Sequence, residues 1–487
     1  MRTTATSRTV ERLAAQGHLI GSTWTSSETG GVYDHRYAAT GEVQARVGLA
    51  GPDDVDAAVS AARAAAHSWA SWSPGKRAAV LFRLADLLEH HGPEAAELAA
   101  LDNGTPVNVI NPGRYTAAWV RYYAGWCDKL DGEVMSGERG LSFVRLEPYG
   151  VVAVIPPWNG SMMGMGQKCG PALAAGNTVV AKPPELSPFG SLRFAELALE
   201  AGLPPGVLNV VVGGGATGAA LVGHPSVDKI SFTGGWVTAR RIMEMAAHNL
   251  TPLALELGGK SPNIIFPDAD LDRAAAMTAH VGTGLLTGQG CALPSRTYIH
   301  DDVYDEVVDK IIAVVESLVV GDPLDQATLV GPVVTEEAMN RILSVIDQAR
   351  ADGAALLTGG TRLEGTLARG WFVAPTVFGQ VDQDSDLARN EVFGPVQAIL
   401  RFGSEEEVLA RANDSPFGLA AYLHTGDAGR IQRFVRQVEA GTLIVNAMGG
   451  ISPTTPFGGY KGSGFGREGG RAGIEEMVRR KTVLIGP

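Results

Sequence analysis

Four groups of residues in this chain combine types and spacings that could do chemistry. Cys291 stands in Gly288-Gln289-Gly290-Cys291. Flanking glycines let substrate and backbone approach the sulfur, whose thiolate would be a nucleophile if a local field lowered its pKa from about 8.5. A cysteine in an apolar chain also serves as buried filler. Glu256 lies between two leucines in Leu255-Glu256-Leu257-Gly258-Gly259-Lys260. Burial would raise its pKa toward a general base's working range; the plainer reading is an ion pair with Lys260 or another cation. Pro156-Pro157-Trp158-Asn159 closes an apolar run. The asparagine amide there could donate to an oxyanion, or the segment simply turns the chain. Gly213-Gly214-Gly215-Ala216-Thr217-Gly218 matches G-x-G-x-x-G. A dinucleotide fingerprint belongs after the first strand of its sheet, and this one follows the third. Close packing of helix on strand is its plainer reading.

These groups need a scaffold. Short unalternated apolar runs at 151–155, 177–181, 207–212 and 227–232 read as strands buried on both faces. Helix-length intervals between them predict βαβ units and a parallel sheet. A second such alternation runs through 263–266, 297–300, 396–400 and 443–445. Upstream, Val55, Ala58, Val59, Ala62, Ala66 and Trp69 recur at helical spacing, with Asp53, Asp54 and Asp56 at the N-terminal end. A second amphipathic helix is predicted over 76–91, with Gly92 as its stop signal. Residues 128–148 lack helical period and read as β-structure outside the first sheet. The terminal run 481–485 reads as a strand in need of a partner.

Composition narrows the function classes. The 487 residues carry 40 Lys plus Arg against 52 Asp plus Glu, a net charge of −12. That balance argues against a nucleic-acid or anionic-membrane partner. The three cysteines, Cys127, Cys169 and Cys291, cannot form a disulfide framework, and a reducing, cytoplasmic setting fits best. No apolar run is long enough for a membrane span. Residues 1–20 lack a signal-peptide core; Arg2, Arg8 and Arg12 weakly suggest a transit peptide, against an ordinary N-terminal segment. The ten histidines show no H-x-x-x-H pair, so no metal site is expected.

Taken together, the motifs resemble those of the NAD(P)-dependent aldehyde dehydrogenase superfamily over nearly the whole chain. The resemblance rests on PPWN at 156–159, PALAAGNTVVAKPPE at 171–185, GLPPGVLNVV at 202–211, FTGG at 232–235 and LELGGKSPN at 255–263. It continues with GQGC at 288–291, EVFGPV at 391–396 and PFGGYKGSGFGRE at 456–468. Joint order and spacing make it specific. It implies an α/β fold: a Rossmann-like cofactor domain with a five-stranded sheet (residues 1–128 and 149–257), an α/β catalytic domain (258–474) and a β oligomerisation hairpin (129–148 with 475–487). The hairpin would pair with the terminal strand across subunits, giving a homo-dimer or tetramer.

The resemblance also implies roles. Cys291 would attack the aldehyde carbon, and the Asn159 amide with the Cys291 N–H would hold the oxyanion. Glu256 would activate water to release the acid, and Lys168 with Glu468 would relay protons, unless that pair is a surface salt bridge. NAD, with NADP less favoured, would bind among Ile155, Trp158, Lys182, Glu185, Gly215, Phe232, Gly234, Gly235, Leu257, Glu391 and Phe393. Lys182 and Glu185 match the residues that hold the adenosine ribose, and Glu391 the one that holds the nicotinamide ribose. A CoA-acylating enzyme or a non-catalytic binding protein on the same fold are the alternatives; retention of Glu256 disfavours the first and the intact set of chemical groups the second.

The chain departs from the family pattern in places. Gly234-Gly235-Trp236-Val237-Thr238-Ala239 stands where G-S-T-x-x-G is usual, which puts the pyrophosphate pose in doubt. Leu286 replaces an Asn upstream of the cysteine, and Leu293-Pro294 an Ala-Gly. The substrate pocket implied is Gly160, Met163, Gln167, Leu285, Ile451 and Phe457, beside Gly449 and Gly450. Glycines and methionines there suggest a roomy apolar tunnel for a medium-to-long aliphatic, branched or aromatic aldehyde.

Overall fold

The computed structural model describes residues 5–136, 140–449 and 451–486. All five residues of the Val151–Ile155 strand are buried, as a strand covered on both faces requires. Around it lie five parallel strands in the order Leu208–Val210, Thr178–Ala181, Val151–Ile155, Lys229–Gly234 and Leu253–Leu257. In chain sequence that order is 3-2-1-4-5, so the connections reverse between Val151–Ile155 and Lys229–Gly234. Helices Ser161–Ala174, Phe189–Glu200, Gly215–Val222 and Trp236–Asn249 make the crossovers. A ligand crevice is expected outside the strand carboxyl ends at such a reversal.

Antiparallel strands extend both edges. His18–Ile20 and Thr23–Thr25 lie at one. At the other, Gly464–Phe465 pairs with Leu255 and Glu256. That short strand comes from the segment expected in the catalytic domain, so the C-terminal part of the chain completes the cofactor sheet.

The second sheet runs Ala355–Thr358, Thr376–Gly379, Val396–Phe402, Pro294–His300, Ser261–Ile265, Ala420–His424, Thr442–Val445. All its pairings are parallel except the first. The four expected runs of each sheet fall on these strands.

Two expectations need correction. The helix expected over 76–91 does end there, as Pro74–His90 capped by His91, but Gly92 is more than a stop: it opens a further helix, Gly92–Asn103, with Pro93 in its first turn. Glycine serves packing here, since a Cβ on Gly92 would sit 2.9 Å from the Asn111 amide. The terminal strand Val478–Ile485 pairs within its own chain, antiparallel to Leu141–Pro148 from Val478↔Pro148 to Ile485↔Leu141. The reason is proximity: helix Gly470–Glu475 packs on Ser161–Ala174 and delivers residue 478 beside residue 148. Glu133–Met135 completes that three-stranded sheet. No helix among the described residues is long and apolar enough to cross a membrane.

Candidate active site

At the strand reversal lies a cleft of about 820 Å³. Ile155, Trp158, Lys182, Glu185, Gly215, Phe232, Gly234, Gly235, Leu257, Glu391 and Phe393 all line it, together with Asn159 and Cys291.

Asn159 sits in the single 3₁₀ turn Trp158–Gly160 between the first strand and helix Ser161–Ala174. Its Nδ2 donates to the Gln289 carbonyl at 2.7 Å. One amide hydrogen is thereby committed, and the second is left for another acceptor.

Gln289 belongs to the cysteine loop, which is held tightly. Leu286 and Thr287 both adopt left-handed backbone, at φ 51° and 55°. For a leucine that costs roughly 1–2 kcal/mol, whereas asparagine tolerates it. The Leu286 departure therefore adds strain that neighbours must offset. Thr287 Oγ1 accepts from Gly331 N at 3.1 Å. Gln289 Oε1 accepts from Val334 N at 3.0 Å. Gly288, at φ 69°, passes so close to Gly394 that a Cβ would lie 2.1 Å from its carbonyl oxygen.

Cys291 is half-buried. Burial, followed by the carboxylates of Glu391, Glu256 and Glu468, pushes its thiol up to about 12. Among the described residues the charges that bear on the sulfur are negative, so it holds its proton until a positive charge arrives or a carboxylate is neutralised.

Glu256 is 4% exposed, and among the described residues neither carboxylate oxygen has a hydrogen-bond partner. The ion pair with Lys260 does not form, and Lys260 Nζ is likewise without a hydrogen-bond partner among the described residues. Burial holds the Glu256 carboxyl well above the usual carboxylate range, and Glu468 adds to this; Lys168 and Arg467 oppose it. Gly458 packs beside it, where a Cβ would come within 2.8 Å of Oε1.

Lys168 and Glu468 form a buried ion pair at 1% and 9% exposure, not a surface one. Lys168 Nζ also donates to Ser231 Oγ at 3.2 Å. A charged pair held this far from water beside Glu256 can set that group's charge.

On the cofactor side, Lys182 Nζ donates to the Gly213 carbonyl at 2.8 Å, and burial pulls its pKa down to about 8. The lysine thus ties the Gly213–Gly218 loop to the second strand. Glu185 faces the same loop, with Oε1 3.0 Å from where a Gly214 Cβ would stand. Glu391 Oε1 accepts from Gly259 N at 3.1 Å, and burial raises this carboxyl to about 7. Phe393 holds left-handed backbone at φ 52° and meets Trp158 edge-on at 5.4 Å.

Trp236 does not enter the cleft. Its ring lies 4.6 Å from Phe417 at an interplanar angle of 32°, and its indole N–H donates to the Gly462 carbonyl. A Cβ at Gly462 would strike the ring at 2.3 Å. The bulky replacement therefore packs the start of helix Trp236–Asn249 on the small ribbon formed by Phe417–Gly418 and Tyr460–Lys461, while Thr238, two residues on, lines the cleft. Ala239 is helical and buried, so the missing glycine costs nothing there.

The substrate-side residues do not form one open tunnel. Gly160 and Met163 line a void of only about 20 Å³, because the Met163 methyl fills the space a Gly160 Cβ would claim. Leu285 faces a separate void of about 350 Å³, with Val109, His280, Leu318 and Met448. Phe457 is buried and pairs through its backbone with Glu468. Ile451 is partly buried and packs against buried apolar side chains; Gly450 lies outside the described residues. Gln167 Nε2 donates to the Tyr115 hydroxyl at 3.1 Å.

Sequence reasoning missed Tyr115 and Tyr422. The charge of an ionised Cys291 bears on both phenols, and Tyr422 donates to the Ala292 carbonyl at 2.9 Å. Tyr115 carried a signal, the helical spacing with Trp119 and Tyr123. Among the described residues no cluster of metal-ligating side chains occurs.

Comparison with known proteins agrees with this geometry. Residues 24–483 match the model of the aldehyde dehydrogenase family. A Bacillus subtilis (strain 168) protein named as a candidate aldehyde dehydrogenase, DhaS, is 41% identical over 466 residues, covering 94% of this chain and 93% of that one. The NAD+ complex of an aldehyde dehydrogenase from Bacillus cereus superposes with a TM-score of 0.94 at 39% identity, covering 98% of each chain. An NADP-dependent enzyme from E. coli superposes equally well at 36% identity, covering 98% of this chain and 99% of that one. The chain belongs to the aldehyde dehydrogenase family.

Proposed function

We propose that this protein oxidises an aldehyde to the carboxylic acid with NAD, by a hydrolytic, non-acylating route. One observation carries the reading: a cysteine and an asparagine amide share the dinucleotide-sized cleft, with a buried, unpartnered carboxylate bearing electrostatically on the sulfur.

The cleft fits a dinucleotide. Helices Gly215–Val222 and Trp236–Asn249 both begin on glycine-rich turns at its wall, where free backbone N–H groups favour phosphate. Glu185 would accept from the adenosine ribose hydroxyls and Glu391 from the nicotinamide ribose. Glu185 would repel a 2′-phosphate, and Lys182 is already tied to Gly213, which supports NAD over NADP. When bound, the nicotinamide accepts the hydride and brings positive charge to the cleft.

Cys291 Sγ, once deprotonated, bonds to the aldehyde carbon. The free Asn159 amide hydrogen and the Cys291 N–H donate to the oxygen as it gains charge. The same donors hold the thioester carbonyl after oxidation. Glu256 takes a proton from the attacking water, and the acid leaves as the Cys291 thiol reforms. Lys168 and Glu468 pass the proton onward. The aldehyde is of medium to long chain and mainly apolar. Exposed apolar side chains on the three-stranded sheet, Val134 and Leu484 among them, support a homo-oligomer, and three free cysteines support a cytoplasmic setting.

Incubation with NAD and heptanal, with and without CoA, tests the reading. The free acid should form at the same rate in both. Acyl-CoA as the product, or no NADH at all, would overturn it.

A further inference from the structure

We infer that Lys260 and Ser261, with Arg296 behind them, form a binding site for one monatomic anion of chloride or bromide size in the interior beside the second sheet. The inference stands apart from the reaction proposed above.

Lys260 precedes strand Ser261–Ile265 and has little freedom. The Gly259 N–H donates to Glu391 Oε1 at 3.1 Å, and a Cβ on Gly259 would stand 2.6 Å from the Cys291 carbonyl oxygen. On the other side, Ser261 pairs with Pro294 in the sheet. The lysine is thus clamped at both ends. At 1% exposure its ammonium does not reach water in the way a long cationic side chain usually does. It lines a small cavity of about 10 Å³ with Ser261, Pro262, Ala412, Phe417 and Leu419. Ala412 comes from helix Glu405–Asn413, and its carbonyl accepts from Arg296 Nη2 at 3.2 Å. Arg296 is fully buried and pairs in the sheet with Pro262, so its guanidinium lies directly behind the cavity wall.

These groups are rich in donors and poor in acceptors. Among the described residues, Lys260 Nζ, Ser261 Oγ and the Nε and Nη1 of Arg296 have no hydrogen-bond partner. All four can donate, and three belong to cations. The nearby carboxylates are engaged elsewhere. Glu391 accepts from Gly259, Asp386 accepts from the Asn390 amide, and Glu439, on the cavity wall, pairs with Lys461. Burial and then the Arg296 charge pull the Lys260 pKa down to about 7, against the attraction of Glu391 and Asp386.

A buried charge calls for a partner of opposite sign, and size decides which. The cavity admits about one atom-sized occupant, so carboxylate and phosphate groups do not fit. A water would satisfy some donors yet leave two neighbouring cations uncompensated. A halide accepts from Lys260 and Ser261 together and offsets the repulsion from Arg296. Because Gly259 joins the lysine to Glu391, an occupied site also holds positive charge beside the carboxylate expected to take the nicotinamide ribose.

The test uses the whole protein. Crystals soaked in sodium bromide should show an anomalous peak between Lys260 Nζ and Ser261 Oγ. In solution, thermal melts compare sodium chloride with sodium gluconate at equal ionic strength, since gluconate is too large for the cavity. Replacing gluconate by chloride should raise the native Tm by about 1–2 °C more than that of Lys260→Met, as a ligand held only by the folded state does. Ser261→Ala, which keeps the charge and loses one donor, should fall between the two. Should Lys260→Met fail to fold, the native crystal and Ser261→Ala decide. A bromide-soaked crystal without an anomalous peak at Lys260 overturns the inference, even where a water is found there. A chloride response that Lys260→Met or Ser261→Ala retains in full overturns it as well.

Discussion

Glu256→Gln separates the two halves of the reaction. Among the described residues neither Glu256 oxygen has a hydrogen-bond partner, so the substitution removes the charge and the base with little else. Loss of a general base lowers turnover by roughly 10²–10⁴, which is about 2.7–5.4 kcal/mol of barrier. Formation of the thioester needs the sulfur and the oxyanion donors, not the carboxylate. Stopped-flow absorbance should therefore show a full first turnover of NADH followed by a steady state reduced by that factor. Stability supplies a second readout. Burial raises the folded-state pKa of Glu256, so between the ordinary glutamate value and that raised value the folded protein binds more protons than the unfolded chain. In that window the Glu256 contribution to stability falls as pH rises. Glu256→Gln abolishes the loss, and its melting temperature relative to the native protein should improve from pH 5 to pH 8. A vanished burst would mean that Glu256 acts before hydride transfer. A gain in relative stability toward low pH would mean that the carboxylate is not held uncompensated.

Other outcomes follow from the same geometry. With its thiol near 12, Cys291 should react with iodoacetamide ever faster from pH 7 to pH 10 without a plateau; saturation near pH 8 would contradict the all-negative surroundings. Lys168→Met and Glu468→Gln should move the acidic limb of the steady-state profile in opposite directions, alkaline and acid respectively, because one group favours ionised Glu256 and the other opposes it; shifts of the same sign would refute the coupling. Trp236→Ala loses an aromatic pair and a hydrogen bond, about 2 kcal/mol together, and should lower the melting temperature and weaken NAD binding; unchanged NAD affinity would separate the Phe417 contact from the cofactor site. Glu185→Ala should narrow the gap in kcat/KM between NAD and NADP, and a native enzyme without such a gap would refute the preference.

Much of the scaffold was legible because buried parallel strands are written as unbroken apolar runs, Val151–Ile155 being the clearest. The residues of the cofactor wall were named only through a resemblance of motifs; the Gly213–Gly218 loop reads as helix–strand packing, yet Gly214, Gly215 and Gly218 line the cleft. What escaped depended on contacts distant in sequence. Gly92 reads as a stop signal, and only the nearby Asn111 shows that its small size serves helix packing. Trp236 looked like an obstruction in the phosphate loop, yet Phe417 and Gly462, more than 180 residues away, draw it outward. The open tunnel expected from Gly160 is filled by Met163 one helical turn on. Lys168 and Glu468 could not be told from a surface pair until Gly464–Phe465 was seen to join the first sheet and carry residue 468 inward.

Trapping the covalent intermediate tests the central claim most directly. Glu256→Gln, mixed with NAD and heptanal and quenched in acid, should gain the mass of the aldehyde less two hydrogens, and peptide mapping should place the adduct on Cys291. An unmodified chain after a burst of NADH, or an acyl group on Cys127 or Cys169, would contradict a thioester mechanism at Cys291.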